Sequence, residues 1–364
     1  MNIQNRIVSV DIFRGLTIVL MILVNTPGTW SHVYPPFLHA TWHGYTPTDL
    51  VFPFFLFIVG CSIVFSYQNR AVDSSTYKKI AIRALKLIGL GLFLGAFTIY
   101  FPFFKDFEKI RFPGVLQRIG VVFFFASMLF INFNWKALVG ICVFLLIGYW
   151  LLMGYVPVNG MAPTFERAPN NLANYLDVVV FGSHSYRPDY DPEGLLSTLP
   201  SIATALIGIF TGLVLRSKKP KKELLLFGMG ILMLLVGHIW DFAFPINKAL
   251  WSSSFVLVTA GWANILLALI YYLSDVRKVK FGSIFKYAGA NAITVYFLSS
   301  FISKLFYSIK VDGETSVHGW LFNTLYVHDF MAMETSSLLY GLSVVAFYVF
   351  LAYVLYKKGI FIKV

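Results

Sequence analysis

The run Asp49-Leu50-Val51-Phe52-Pro53-Phe54-Phe55-Leu56-Phe57-Ile58-Val59-Gly60-Cys61-Ser62-Ile63-Val64-Phe65-Ser66-Tyr67 decides the fold. Past Asp49 the chain carries no charged side chain until Arg70. A bilayer's hydrocarbon core is crossed by about 20 apolar residues in a helix. Lipid offers no partner to an open backbone, so a run of this kind has to be helical. Outward from it the pattern recurs at 10–26, 86–104, 115–133, 137–155, 195–215, 224–242, 252–273, 286–307 and 336–356. The expected fold class is an all-α integral membrane protein, a bundle of about ten transmembrane helices. No tandem repeat and no low-complexity tract divides it, so residues 1–364 read as a single polytopic domain.

Composition excludes the soluble classes. Of 364 residues, 58% are hydrophobic and 13% charged, with a mean hydropathy of +0.72. A soluble domain is about one quarter charged, so there is too little polar surface here to cover a water-soluble globule. The 37 phenylalanines suit faces that meet lipid. In a soluble protein a net charge of +12 would suggest a nucleic-acid partner. Here the cations sit in short loops between apolar runs, topology accounts for them, and no nucleic acid is expected. Cys61 and Cys142 fall inside apolar runs, which speaks against a disulfide framework, and no metal-ligand spacing is present. The first run leads into Asn25 and an aromatic loop, not a small-residue cleavage site, so it reads as a retained helix.

The cations then orient the bundle. Twenty of the 29 Lys and Arg lie in one set of alternating loops, from Arg6 and Arg14 through Arg216–Lys222 to Lys357, Lys358 and Lys363. Eight lie in the opposite set, and Arg118 falls inside a helix. Positive residues stay inside, so the first set, with both termini, is expected in the cytoplasm. The outer side then holds the long connections 27–48, 156–194 and 308–335. Loops of that length without structure of their own are usually functional or disordered.

All seven histidines fall on or near that outer side. Imidazole titrates near neutrality and suits proton transfer. His39 stands out by its neighbours, Leu38-His39-Ala40-Thr41-Trp42-His43-Gly44-Tyr45-Thr46-Pro47-Thr48-Asp49, which run directly into the deciding helix. Thr48 or Asp49 can cap that helix, whose N-terminus favours an ionised Asp49. A carboxylate that orients an imidazole is the usual support of a general base. Asp11 and Arg14 share one helix face at the inner end and read as an ion pair. Asn25, at the outer end of the first run, can donate to a developing oxyanion. Gln117-Arg118 opens the fourth run. An arginine at that depth must face the bundle interior or snorkel outward. Its candidate partner is Asp241, which follows His238 near the outer end of the seventh run; both would face a shared polar cavity. Arg111, in a loop, is expected to matter far less than Arg118. Asn247, Lys248, Trp251 and Ser252 follow, and Asn291 in the ninth run reads as a helix–helix hydrogen bond.

These segments resemble the heparan-alpha-glucosaminide N-acetyltransferase family and its bacterial relatives. The likeness rests on Ser9-Val10-Asp11-Ile12-Phe13-Arg14-Gly15 and on His39-Ala40-Thr41-Trp42-His43-Gly44 with Thr48-Asp49-Leu50-Val51-Phe52-Pro53. It continues through Gly114-Val115-Leu116-Gln117-Arg118-Ile119-Gly120, Asp191-Pro192-Glu193-Gly194-Leu195-Leu196 and Asn247-Lys248-Ala249-Leu250-Trp251-Ser252. It covers nearly the whole chain in order, and the His39 block is its most specific part. The resemblance implies transfer of an acetyl group from cytosolic acetyl-CoA to the amine of a glucosamine-type sugar across the membrane. It implies that His39 is the essential histidine; by their own placement in the sequence, Asp49 and Asn25 are expected to act beside it as catalytic residues. Trp42, His43, Gln117, Arg118, His238, Asp241, Asn247, Lys248, Trp251, Ser252 and Asn291 would line the cavity. The chain departs from the lysosomal pattern at His43, where that pattern has Asn. Acetyl-CoA is the expected cosubstrate, without a metal. A bacterial cytoplasmic membrane and a homodimer complete the expectation. The other class that fits is an amino-sugar transporter, which would favour broken helices in inverted repeats; no such symmetry is visible. A direct attack by the acceptor amine and an acetyl group carried first on His39 are both open.

Overall fold

The computed structural model describes residues 7–362, so Arg6 and Lys363 of the cationic loops lie outside the described residues. Described residues form thirteen α-helices and no strand. They are α1 (Val8–Asn25), α2 (Val51–Tyr67), α3 (Ser74–Ala96), α4 (Val115–Asn132), α5 (Trp135–Tyr155), α6 (Leu172–Phe181), α7 (Thr198–Arg216), α8 (Lys222–Asp241), α9 (Ser253–Tyr271), α10 (Ser283–Ala290), α11 (Ala292–Ser308), α12 (Val317–Leu325) and α13 (Met333–Lys357). Eight helices are long and apolar enough to span a bilayer: α1, α2 with the turn that starts at Pro47, α4, α5, α7, α8, α9 with its extension to Val276, and α13. This is an all-α, multi-pass membrane bundle.

The middle of the bundle is α2, α7 and α9, each 72% buried along its most apolar window. The α2–α7 pair sets the core. A Cβ at Gly60 would run into the Ala205 carbonyl, and one at Gly208 into the Phe57 carbonyl. Two facing glycines thus let the backbones touch, as small residues do between membrane helices. The outer helices α5 and α8 are 28% and 17% buried over the same measure, and their exposed Phe144, Leu151, Leu224, Leu232 and Ile239 face lipid.

Two expected spans change. The run 86–104 belongs to α3, which starts at Ser74 because Asp73 caps it, accepting from the Thr76 N–H at 2.8 Å. Its buried residues Ile80, Ala84, Leu87 and Gly91 fall on one helical face, so Lys78, Lys79, Arg83 and Lys86 ride inside the helix. It stops at Ala96, before a hairpin of exposed Tyr100, Phe101, Phe103 and Phe104. The run 286–307 is not one helix: it breaks at Asn291 between α10 and α11. Neither α3 nor α11 is among the eight long apolar helices.

The long connections are also more ordered than loops of their length suggest. The segment 156–194 contains α6, and 308–335 contains α12. They meet 27–48 at one end of the bundle. There the Gly44 N–H donates to the Ile246 carbonyl at 2.7 Å, Trp42 Nε1 to the Phe165 carbonyl at 2.9 Å, and His318 Nε2 to the Gly28 carbonyl at 2.9 Å.

Candidate active site

His39 and Asp49 are brought together by the turn that starts α2. Asp49 sits at the third position of the Pro47–Leu50 turn, and its Oδ2 accepts from the Thr46 N–H (3.0 Å), the Thr46 hydroxyl (3.1 Å) and the Ala40 N–H (3.0 Å). Its Oδ1 accepts from His39 Nδ1 at 2.7 Å. The same carboxylate therefore closes a capping box with Thr46 on the turn that leads into α2 and holds the imidazole. Asp49 is 1% exposed, whereas the His39 side chain is 49% exposed. An ionised carboxylate only accepts, so Nδ1 carries the proton and, in the neutral ring, Nε2 keeps a lone pair on the open side.

The α8–α9 connection supplies the second wall. Lys248 Nζ lies 3.2 Å from His39 Nε2, 3.0 Å from Nδ1 and 3.4 Å from Asp49 Oδ1. Burial pushes the Lys248 ammonium below its usual range, against the pull of the Asp49 and Glu193 charges. Asn247 fixes the loop from inside. Its N–H donates to Ser252 Oγ (3.0 Å), its Oδ1 accepts from the Leu250 N–H (2.9 Å), and its Nδ2 donates to His43 Nδ1 (3.3 Å). His43 then gives Nε2–H to Glu166 Oε1 at 3.1 Å. Ser252 caps α9. Trp251, fully buried, adopts a left-handed backbone with φ 52°, a strain of about 1–3 kcal/mol for a non-glycine residue. Its ring nitrogen donates to Thr204 Oγ1 at 3.0 Å, and Phe52 packs on its edge.

Behind Trp251 lies a second polar cluster. The Arg118 guanidinium, 2% exposed, stands 5.3 Å from the Trp251 ring. It donates to the Pro192 carbonyl (3.1 Å), the Gly194 carbonyl (2.9 Å) and Ser197 Oγ (2.5 Å). Asp241 is not its partner: that carboxylate accepts from the Ile246 N–H at 2.6 Å and shapes the α8–α9 turn. The expected pairing of Arg118 with Asp241 is thus corrected. Carbonyls of the loop at Pro192 and Gly194 accept the arginine's hydrogen bonds, and the carboxylates of Glu193, Asp191 and Asp177 act on it through their charge. Arg111, expected to be a bystander, grips Asp191 with Nε (2.9 Å) and Nη2 (2.5 Å) and Glu193 with Nη2 (2.5 Å). Burial would depress the Arg111 charge, but both carboxylates outweigh it and raise its pKa. Asp177 completes the cluster from α6, accepting from the Leu195 N–H at 2.8 Å and the Asp191 N–H at 3.3 Å. Burial pushes its pKa to about 6. A Cβ at Gly194 would overlap this carboxylate, so the loop needs glycine there.

Other expected residues scatter. Asn25 gives one N–H to the Met21 carbonyl at 2.7 Å and keeps a second to donate. It lines a polar cavity of about 190 Å³ with Thr26, Tyr296, Ser299, Ser300 and Ser303, between α1 and α11. Trp42 packs edge-on to Tyr190. Gln117 lies against Gly91 and Gly114, at the α3–α4 contact. His238 returns Nδ1–H to the Leu234 carbonyl of its own helix at 2.8 Å, is exposed, and neighbours Tyr45. Asn291 makes no helix–helix bond. It donates to the Ile360 carbonyl and accepts from the Ile362 N–H, both at 2.9 Å, pinning the segment after α13 at the opposite end from His39. Asp11 and Arg14 do form the expected pair, at 3.2 Å, with Ser62 as a further acceptor. Sequence reasoning missed Thr46, Glu166, Asp177 and Ser197 as participants. The carboxylates of Asp191-Pro192-Glu193-Gly194 were the one legible signal.

Comparison with known proteins bears on this geometry. The family model for the catalytic region of heparan-alpha-glucosaminide N-acetyltransferase matches residues 6–238. Heparan-alpha-glucosaminide N-acetyltransferase of Mus musculus is 30% identical over 99% of this chain and 61% of its own length. That of Homo sapiens is 30% identical over 99% of this chain and 60% of its own length. The chain thus spans about three-fifths of these relatives.

Proposed function

The chain belongs to the heparan-alpha-glucosaminide N-acetyltransferase family, and from that premise we propose that it is a membrane acetyltransferase with His39 as general base. Its donor is acetyl-CoA taken from the cytoplasmic side, and its acceptor is the amine of a glucosamine-type sugar on the outer side. The membrane is a bacterial cytoplasmic membrane, with both termini inside. The catalytic unit is one domain over residues 1–364, and its assembly a homodimer. The observation that carries the reading is the His39–Asp49 pair. Asp49 fixes the proton on Nδ1 and leaves the Nε2 lone pair on a half-exposed face.

A sugar ammonium cannot attack a thioester. Nε2 takes one of its protons, and the free amine adds to the acetyl carbonyl carbon. The C–N bond forms, the tetrahedral adduct loses a second proton from nitrogen to solvent, the C–S bond breaks, and the thiolate leaves as CoA thiol with the proton returned by His39. Asn25 or a backbone N–H steadies the oxyanion. Cations gathered at the opposite end attract the CoA phosphates through their summed field. General acid–base help is worth about 10²–10⁴-fold. Purified protein given radiolabelled acetyl-CoA and glucosamine should yield labelled N-acetylglucosamine, and His39→Ala should lose that much turnover while CoA affinity barely changes. Near-normal acetylation by His39→Ala overturns the reading. Label trapped on His39 without acceptor separates the covalent route from direct attack.

One observation favours the permease alternative, the break between α10 and α11 at Asn291. Transporters place paired broken helices around a midplane site. This break is held by the segment after α13 at the end away from His39. Uptake of labelled glucosamine into proteoliposomes without acetyl-CoA is the outcome that would choose it.

A further inference from the structure

We propose that Lys248 stands where the acceptor's amine must stand, and that its ε-amine is itself acetylated when no acceptor is present. The inference rests on the acetyl-CoA reading above and adds a modification site to it. A group that surrenders a proton to a base must come within about 2.6–3.2 Å of it. Lys248 Nζ already lies 3.2 Å from His39 Nε2, and 3.4 Å from the Asp49 Oδ1 that orients the ring. Nζ stands over the ring between the two nitrogens, 3.0 Å from Nδ1 and 3.2 Å from Nε2. The Nδ1 proton is engaged by Asp49, so only Nε2 can take a proton from Lys248, after a small rotation of the lysine side chain. Among the described residues no other lysine amine lies within hydrogen-bond distance of an imidazole. Lys109 pairs with Asp106, Lys304 gives its proton to the Leu94 carbonyl, and Lys310 to the Glu314 carbonyl.

The placement is built, not incidental. Lys248 follows Asn247, which is locked by Ser252, Leu250 and His43, and the left-handed Trp251 closes the same turn. Glu193 reaches Lys248 only through its charge. The contact with a base, reinforced by burial that favours the neutral amine, is how lysines become nucleophiles. A primary amine held this way has the chemistry required of the sugar. The acceptor must displace it from Nε2 before it can react.

The step balances without a further reagent. The Lys248 ammonium loses one proton to His39 Nε2, and the amine attacks the acetyl carbonyl carbon. The tetrahedral adduct loses a second proton from nitrogen and expels CoA thiolate. One of the two protons leaves on the thiol and the other goes to solvent. The product, N-acetyl-lysine, is an amide and does not return its acetyl group. It has lost its charge and fills the acceptor's place, so the modified enzyme is inactive.

The experiment uses the full chain in detergent with acetyl-labelled acetyl-CoA, without and with saturating glucosamine. Peptide mass spectrometry follows after hydroxylamine treatment, which strips acetyl from imidazole but not from lysine. Expected is a stable acetyl group on Lys248, at least about 100-fold slower to appear in His39→Ala, suppressed by glucosamine, and tracking loss of activity during preincubation. Label spread equally over Lys105, Lys109 and Lys248, and unaffected by His39→Ala, overturns the inference. So does a wild-type enzyme that acetylates glucosamine but leaves Lys248 unmodified; that result spares the function above. If neither glucosamine nor Lys248 takes label, the acetyltransferase reading fails and this inference with it.

Discussion

Replacing Asp49 with Asn separates the two duties of that side chain. Asp49 Oδ2 faces three donors, the Thr46 N–H, the Thr46 hydroxyl and the Ala40 N–H, at 3.0–3.1 Å. An Asn amide has one oxygen, and it goes to that side, because turning its NH₂ there would set donors against donors. The NH₂ then points at His39 Nδ1, which must accept, and the imidazole proton moves to Nε2. The ring keeps its place but loses the lone pair that serves as base. The expected loss in turnover is that of general-base catalysis, about 10²–10⁴-fold. The fold should survive, because the backbone bonds are kept, but those from His39, Ala40 and Thr46 each fall from about 1.5–3 kcal/mol for a charged acceptor to about 0.5–1.5 kcal/mol for a neutral one. Asp49→Ala removes the cap as well and adds about 0.5–2 kcal/mol of destabilisation. The assay is initial-rate acetyl transfer from labelled acetyl-CoA to glucosamine, with thermal unfolding of the same preparations. An Asp49→Asn enzyme that keeps more than about one-tenth of wild-type turnover would refute the tautomer argument.

The Asp177 carboxyl, raised to about 6 by burial, binds its proton more tightly folded than unfolded. Stability tied to it is therefore full at low pH and lost as pH rises from 3.8 through about 6, at most about 3 kcal/mol. Melting curves of wild type against Asp177→Asn should diverge across that window, and parallel curves would contradict it. Arg111→Ala strands buried Asp191, so it should cost about 3–5 kcal/mol and lower folded yield at least as far as Arg118→Ala; a wild-type melt for Arg111→Ala defeats this. Gly194→Ala, which drives a methyl into the Asp177 carboxylate, should lower the melting temperature more than Gly148→Ala in α5, where a Cβ meets open space; equal effects refute it. Single cysteines placed in 156–194 should react with an impermeant reagent from outside intact cells and those in 216–223 should not, and the reverse would overturn the orientation.

What the sequence could show was decided by range. His39, Trp42 and Asp49 share one short segment, so their meeting follows from a turn and a helix start. Both readings of Asp49, cap and imidazole partner, proved to be one geometry. Lys248 meets His39 across the bundle end, where Gly44 pairs with Ile246 and Asn247 with His43, and no periodicity announces such contacts. Arg118 was given Asp241 because a buried cation invites a search for an anion. Its real partners are carbonyls of Pro192 and Gly194, which leave no mark in a sequence. Eight of the ten runs picked by hydropathy are helices long and apolar enough to span. Hydropathy missed the start of α3 at Ser74 and the break at Asn291, where one polar side chain serves the segment after α13 instead of a neighbouring helix.

The two polar clusters divide the work according to what each charge can still do. Arg118 is 2% exposed and spends its hydrogen bonds on two carbonyls and a hydroxyl. A guanidinium so engaged neither gives nor takes a proton near neutrality. It can only hold, and what it holds is the loop around Gly194 on one side and the Trp251 ring on the other. That ring sits in a strained turn whose cost, about 1–3 kcal/mol, is close to what a desolvated cation–π contact returns, about 2 kcal/mol. The Thr204 hydrogen bond and the Phe52 contact add to the favourable side. The turn stays closed, and Asn247 and Lys248 are delivered to His43 and His39 at its other end. His39 differs in kind. Its side chain is half exposed, one nitrogen is fixed by a carboxylate, and the only other partner of the ring among the described residues is a displaceable amine within 3.2 Å of both nitrogens. In the proposed mechanism the mobile proton belongs there, while buried Arg118 and half-buried Arg111 hold the loop behind it.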